Sequence, residues 1–300
     1  MKNKELVTVV TVTYNAQDLL EETILSVINQ SYDNIEYIII DGASTDSTLD
    51  IIKKYEDHFD YWISEPDNGI YYAMNKAIEK ATGNWINFMN AGDTFFDLDT
   101  VKYVINHKDN DAELIYGDYQ VKESEVVNKA RDVKEWYVGM PFCHQTLFTR
   151  TSIMKEELFN TSFRIAADHN FIIKMYHDNK RFFYIDRRIA IFTEGGFADS
   201  NGFLMNIESI KVFLDNKVSE NDIKQSNWYK KLQNYMCPNQ TQPIKTLKEE
   251  NEHFYALFKA SASITEYSIF KHPLKKYSSY KKMLEHYYKA KEHLTSKKLK

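Results

Sequence analysis

Apolar and polar positions fall in blocks along the first hundred residues, and the blocks have the lengths of strands and helices in turn. Leu6 to Thr13 is a β-branched run that predicts a first strand. Leu19, Leu20, Ile24, Val27 and Ile28 then mark one face of a helix, with Asn15 and Asp18 spaced ahead of it like a capping box. Ile35 to Ile40 is an unbroken apolar strand, followed by start signals at Ser47 and Asp50 and a helix carrying Leu49, Ile51, Ile52 and Tyr55. A short strand at Tyr61 to Ser64, a helix from about Ile70 to Ala81 closed by Gly83, and a strand at Trp85 to Met89 continue the alternation. Strand, loop and helix repeating in this order predict an α/β fold with a parallel sheet, whose functional loops lie at the C-terminal ends of the strands.

Past Asp93 the pattern shortens. Strands are expected at Leu114 to Val121 and Arg181 to Thr193, around a helix from Asp168 to Asp178, as a second half of the same domain. From about Phe203 the chain reads as helical and Lys-rich, with no Gly after Gly202 and a break at Cys237 to Pro243. The expected organisation is a catalytic domain over residues 1–200 and a helical appendage over 201–300.

Composition changes this picture at three points. The net charge of -5 and pI near 6.0 give no pull toward nucleic acid, yet residues 271–300 hold ten Lys against Glu285 and Glu292. With Phe, Tyr and Leu interleaved, that tail has the character of a helix lying on an anionic membrane, or equally of a solvated basic helix. Two cysteines, Cys143 and Cys237, suit a reducing compartment, so the expected location is cytoplasmic, peripheral on the inner face of the cytoplasmic membrane if the tail binds there. The opening segment is too polar for a signal peptide, and no run approaches the ~20 apolar residues of a membrane span.

Candidate chemistry gathers at the predicted strand ends. Thr13 and Tyr14 close the first strand, where the ring can stack on a nucleobase, and Asp41 closes the second, where a carboxylate can accept from a uracil imide; an ordinary tyrosine and a capping Asp are the alternatives. Asp46 precedes a helix and reads as a cap or loop carboxylate. In EPDNGIYYAMNKA, Gly69 permits close backbone approach, and Asn75 either reaches a diphosphate or sugar or sits on a helix surface. Asp93 follows a strand and an Ala91-Gly92 turn, a placement suited to a hard divalent cation bridging phosphate oxygens, with a turn-forming Asp as the alternative.

These segments, VTVVTVTYN, IEYIIIDGASTD, EPDNGIYYAMNKAIEKATG and FMNAGD, together resemble a glycosyltransferase of the GT-A fold, family 2. PFCHQTLFTR and FRIAADHNFIIKMY extend the likeness to the subgroup that builds O-antigen, capsule and other surface polysaccharides, over roughly residues 6–195. The resemblance implies Mn²⁺ or Mg²⁺ at Asp93, where the family's acidic motif is thinned to one carboxylate by Asn90 and Gly92. It casts Asp168 as the general base. His144 and Gln145 become candidates for acceptor or diphosphate binding, His144 alternatively for the metal shell or as a buried, hydrogen-bonded histidine. The implied activity is inverting transfer from a nucleoside diphosphate sugar, a UDP-sugar in particular, to a glycan or lipid-linked acceptor. Two rivals stand beside it. A sugar-nucleotide pyrophosphorylase would want a Gly-rich basic loop where this chain has TYNAQD; a non-catalytic subunit of an assembly complex would keep the fold without the chemistry.

Overall fold

The computed structural model describes residues 4–196 and 202–230. In chain order its elements are β1 (Val7–Thr13), α1 (Leu20–Ile28), β2 (Ile35–Asp41), α2 (Thr48–Lys54), β3 (Tyr61–Ser64), α3 (Ile70–Lys80), β4 (Trp85–Phe88), β5 (Thr94–Phe95) and α4 (Thr100–His107). The second half adds β6 (Leu114–Val121), β7 (Val127–Asn128), β8 (Phe148–Arg150), α5 (Thr151–Glu156), α6 (Ala167–His177), β9 (Phe182–Phe192), α7 (Gly202–Asp215) and α8 (Glu220–Gln225).

One sheet runs in the order β3-β2-β1-β4-β8-β6-β9-β5, with β7 paired to β6. Its first four strands are parallel, in register Thr13↔Asp41 and Asp41↔Ser64 at their C-terminal ends. β1 lies between β2 and β4 and is buried at every position, which is why it reads as a continuous β-branched run rather than an alternating one. Its threonines are accommodated by partners: Thr11 Oγ1 donates to the Met89 carbonyl at 2.8 Å and Thr8 Oγ1 to Glu36 at 2.5 Å. β8 then pairs antiparallel to β4, so the parallel half joins a mixed second half in which β6 and β9 are parallel and β5 is antiparallel to β9. The core fills around Ile24, Ile39, Trp85 and Phe148, all fully buried.

Three local expectations resolve differently. Asn15 and Asp18 form no capping box: Asn15 adopts φ 48° and its Oδ1 accepts from the Thr45 amide at 2.8 Å, stitching the loop after β1 to the loop after β2. The α2 start is held by Asp46, which accepts from Thr48 N at 3.0 Å, rather than by Ser47. Gly83 does not close α3, whose last residue is Lys80 and whose C-cap is Ala81; a Cβ on Gly83 would lie 2.7 Å from Thr8 N, so glycine is required by backbone contact with β1.

The chain divides into compact units at Val218, beyond the expected boundary at residue 200, because α7 belongs to the first unit. The buried Glu208 on α7 accepts from the amides of Arg164, Ile165 and Ala166 at 2.9–3.2 Å, fixing the segment that leads into α6. Glu208→Ala removes a charged acceptor shared by three amides, and we expect it to lower stability by about 3 kcal/mol in urea unfolding. The described part of the second unit is residues 219–230, where Ser219 Oγ caps α8 by accepting from Asp222 N at 3.2 Å. The expected break at Cys237 to Pro243 and the basic tail over 271–300 lie outside the described residues. Among the described residues, no helix is long and apolar enough to cross a membrane.

Candidate active site

The C-terminal ends of β1, β2 and β4 bring three groups of side chains to one edge of the sheet. At the end of β4 the chain turns through Asn90 to Asp93, with Asp93 N donating to Asn90 O at 3.0 Å and Gly92 at φ 104°, a conformation that favours glycine. Asp93 is 6% exposed. Its Oδ1 accepts from the Thr193 amide at 3.0 Å and its Oδ2 from Gln145 Nε2 at 2.5 Å. Gln145 is itself oriented, because its Oε1 accepts from the Cys143 thiol at 2.5 Å. Burial and then the nearby Asp93 charge push the Cys143 thiol far above its usual range, so it stays a protonated donor to Gln145.

The neighbouring residue faces the second carboxylate. His144 Nδ1 lies 3.1 Å from Asp168 Oδ2, with the two side chains 24% and 17% exposed. Asp168 sits in the first turn of α6, and its Oδ1 accepts from Tyr71 Oη at 3.0 Å and from His169 N at 2.8 Å. Burial works against the Asp168 charge, but the His144 contact, the His169 amide and Tyr71 outweigh it and hold the carboxyl below the usual range. Burial likewise opposes charging His144; its bond to Asp168 and the charges of Asp168 and Asp93 prevail and raise its pKa. An imidazolium donates from both nitrogens. The charged form therefore calls for Asn90, whose Nδ2 is 3.0 Å from His144 Nε2, to turn its amide and present the Oδ1 that has no partner in this rotamer.

This pair has a definite pH signature. The raised His144 contributes stability that is complete below the ordinary His value of 6.5 and lost as pH rises through its higher folded value. The lowered Asp168 contributes above the ordinary Asp value of 3.8 and loses this as pH falls through its lower folded value. Both contributions coexist between those ordinary values. Removing the cation by His144→Gln lets the Asp168 pKa rise, so the acidic limb of a kcat profile should move to higher pH; a limb that stays in place would show that His144 does not tune Asp168.

A family model, Glycosyl transferase family 2, matches residues 8–186. The chain belongs to glycosyl transferase family 2. It is 28% identical over 173 residues to the PGL/p-HBAD biosynthesis glycosyltransferase of Mycobacterium bovis (strain BCG / Pasteur 1173P2), covering 55% of this chain and 67% of that one. It is 41% identical over 93 residues to TuaG of Bacillus subtilis (strain 168), a glycosyltransferase named for teichuronic acid biosynthesis, over 30% of this chain and 37% of that one. The fold matches S. aureus TarS 1-349 in complex with UDP-GlcNAc at TM-score 0.63 and 18% identity, over 87% of this chain and 81% of that one. It also matches the mannosyltransferase PcManGT from Pyrobaculum calidifontis, in complex with GDP-Man and Mn²⁺, at TM-score 0.59 and 16% identity, over 93% and 86%.

The expected residues of this family 2 site differ in exposure and in how far the protein itself occupies them. Tyr14 is 64% exposed. Thr13 is buried beside it, and its Oγ1 has no hydrogen-bond partner among the described residues. Asp41 is fully buried: Ser44 N, Ser44 Oγ and Ser64 Oγ all donate to its carboxylate at 2.5–2.9 Å. It ties the loops after β2 and β3 together. Asn75 is engaged elsewhere, since its amide donates to Phe159 O at 2.9 Å and accepts from Phe159 N at 3.0 Å. Both nitrogens of His144 face Asp168 and Asn90 rather than a metal shell. Residues that pattern reading passed over complete the geometry. Tyr71 and Thr193 hold the two carboxylates, and the buried Asn87 on β4 anchors the 143–147 segment through bonds to Gln145 O at 2.9 Å and Leu147 O at 3.0 Å. A polar residue inside an apolar strand was the available signal for Asn87.

Among the described residues, no three His, Cys, Asp or Glu side chains gather to hold a metal ion. Asp93 supplies one carboxylate to this edge of the sheet, set in place by its bonds to Gln145 and Thr193. That donor set fits a hard cation whose other ligands are diphosphate oxygens and water, the arrangement Mg²⁺ commonly takes. It does not fit a cation held by protein alone.

Proposed function

We propose that this chain transfers a sugar from a UDP-sugar to a hydroxyl of a growing, lipid-linked surface glycan, with inversion at the anomeric carbon. The observation that carries the reading is the dipeptide His144-Gln145, which fixes Asp168 with one side chain and Asp93 with the next. Two carboxylates with separate tasks are thereby held in one rigid segment, itself anchored by Asn87. Membership of family 2 supports the reaction class. The UDP and UDP-GlcNAc bound by TarS, and the naming of TuaG for teichuronic acid biosynthesis, support the donor and the surface glycan.

In this reading Tyr14 stacks on the base, and the Thr13 hydroxyl, which has no partner among the described residues, faces the nucleoside. Asp93 is the residue that would hold a divalent cation, which would supply neutralising charge to the diphosphate leaving group. Asp168 accepts the proton of the acceptor hydroxyl as its oxygen attacks the anomeric carbon. The carbon–oxygen bond to the diphosphate breaks, and its electron pair leaves with the diphosphate. One displacement inverts the centre. His144 keeps Asp168 ionised, and Tyr71 and the His169 amide hold its second oxygen in place.

Calorimetric titration with UDP, GDP and dTDP, each with and without Mn²⁺, tests the donor class. Metal-dependent binding that favours UDP is the expected result. Failure of every nucleotide to bind would move the reading to the non-catalytic subunit.

A further inference from the structure

We infer that a groove between α6, the C-terminal end of α7 and the 157–160 segment is a saccharide-binding site separate from the catalytic edge, and that it holds sugars already added to the acceptor; its role in glycan assembly rests on the reading above. The groove has a volume of about 470 Å³, inside the range of about 300–1,000 Å³ typical of small-ligand sites, and its lining lies wholly in the first compact unit. At 3.6 residues per turn, Asn170 and Lys174 stand roughly 200° and 240° around α6 from Asp168, so the groove lies along a different face of that helix from the candidate base.

Two amides in its wall are fixed by their own bonds. Asn216 Nδ2 donates to Val212 O at 2.8 Å and to Asn170 Oδ1 at 3.0 Å. A carbonyl only accepts, so the Val212 bond settles which end of the Asn216 amide is the NH₂, and the second bond settles Asn170 in turn. The Asn170 NH₂ and the Asn216 Oδ1 are then left without hydrogen-bond partners among the described residues, a donor and an acceptor held side by side. A hydroxyl both donates and accepts, so neighbouring hydroxyls of a sugar ring satisfy this pair together. Lys174 and Glu157, joined as an ion pair, add a further donor and acceptor, and Leu158, 40% exposed, offers apolar surface to the C–H face of a ring.

The charges in the lining select for a neutral ligand. Glu157, Asp178 and Asp215 stand against Lys174 and Lys217, which leaves no surplus of cations for a phosphate. Asp178 and Asn216 follow the last turns of α6 and α7, whose carbonyl ends further disfavour an anion. Nor, among the described residues, do three His, Cys, Asp or Glu side chains gather to hold a metal ion.

Saturation-transfer NMR of the full chain with the methyl glycosides of glucose, galactose, mannose and N-acetylglucosamine, beside calorimetry with UDP, tests the site. Asn170→Ala deletes the NH₂ at a partly exposed helix position, where alanine favours the helix. Leu158→Arg sets a long side chain into the groove from an exposed position. At least one glycoside should bind wild type, with its affinity about tenfold or more weaker in both variants and the affinity for UDP unchanged. If UDP binds but no glycoside does, or a glycoside binds equally well in either variant, the groove is not a saccharide site and the donor reading stands. Groove-dependent glycoside binding by a chain that binds no nucleotide would support the site and remove the role in glycan assembly given to it. A chain that binds neither overturns both.

Discussion

An Asp168→Asn variant should retain its affinity for UDP and lose transfer, with kcat lower by roughly 10²–10⁴-fold, the usual range for a general base. The substitution is nearly isosteric. An amide oxygen at the Oδ1 position still accepts from Tyr71 and His169 N, and the amide NH₂ meets His144 Nδ1 once the imidazole is neutral and donates from Nε2 to Asn90. What the variant lacks is a lone pair able to take the acceptor proton. The carboxylate it replaces is a weaker base than an ordinary Asp at equilibrium, because His144, the His169 amide and Tyr71 hold its pKa down. Its role is therefore to receive a proton that becomes acidic only as the acceptor oxygen bonds to the anomeric carbon. Single-turnover release of UDP alongside calorimetry separates chemistry from binding. Unchanged turnover would remove the base assignment.

How much of this was legible in the sequence follows from how local each constraint is. β1, β2 and β4 are sandwiched or packed on both faces, so their apolar runs declare them directly. Asp93 and Asp168 stand at element ends that periodicity alone can find. The capping box at Asn15 failed because a competing partner, Thr45, lies 30 residues away across the sheet. Asn75 looked free to meet a ligand because its partner, the Phe159 backbone, is 84 residues distant. The same holds for Gln145 and His144, whose segment was readable as a motif while its division of labour between two carboxylates was not. Asp41 is the instructive case. A carboxylate at a strand's C-terminal end suits ligand binding by position, and the two serines that bury it come from different loops.

The second large effect is expected at Asp93. Asp93→Asn preserves shape, since an amide oxygen still accepts from the Thr193 amide and Gln145 can turn its own amide to accept from the new NH₂. The turn from Asn90 to Asp93 is held by backbone atoms and by Thr23, whose Oγ1 donates to Asp93 O at 2.8 Å, so the backbone should stay in place. The negative charge is removed, and the turned Gln145 amide gives up the bond that its Oε1 accepts from the Cys143 thiol. Among the described residues no three His, Cys, Asp or Glu side chains gather to hold a cation, so little is left to compensate for the lost charge. Loss of charge stabilisation of the departing diphosphate by about 4 kcal/mol corresponds to roughly a 10³-fold fall in kcat/KM. Two readouts distinguish this from a folding defect: the urea midpoint should match wild type, and the gain in UDP affinity on adding Mn²⁺ should disappear. If Asp93→Asn instead kept the Mn²⁺ dependence, the cation would have to be held by the nucleotide alone. Asp93 would then be a turn residue that positions Gln145, and the thinning of the acidic motif to one carboxylate would mark a site that no longer recruits metal through the protein.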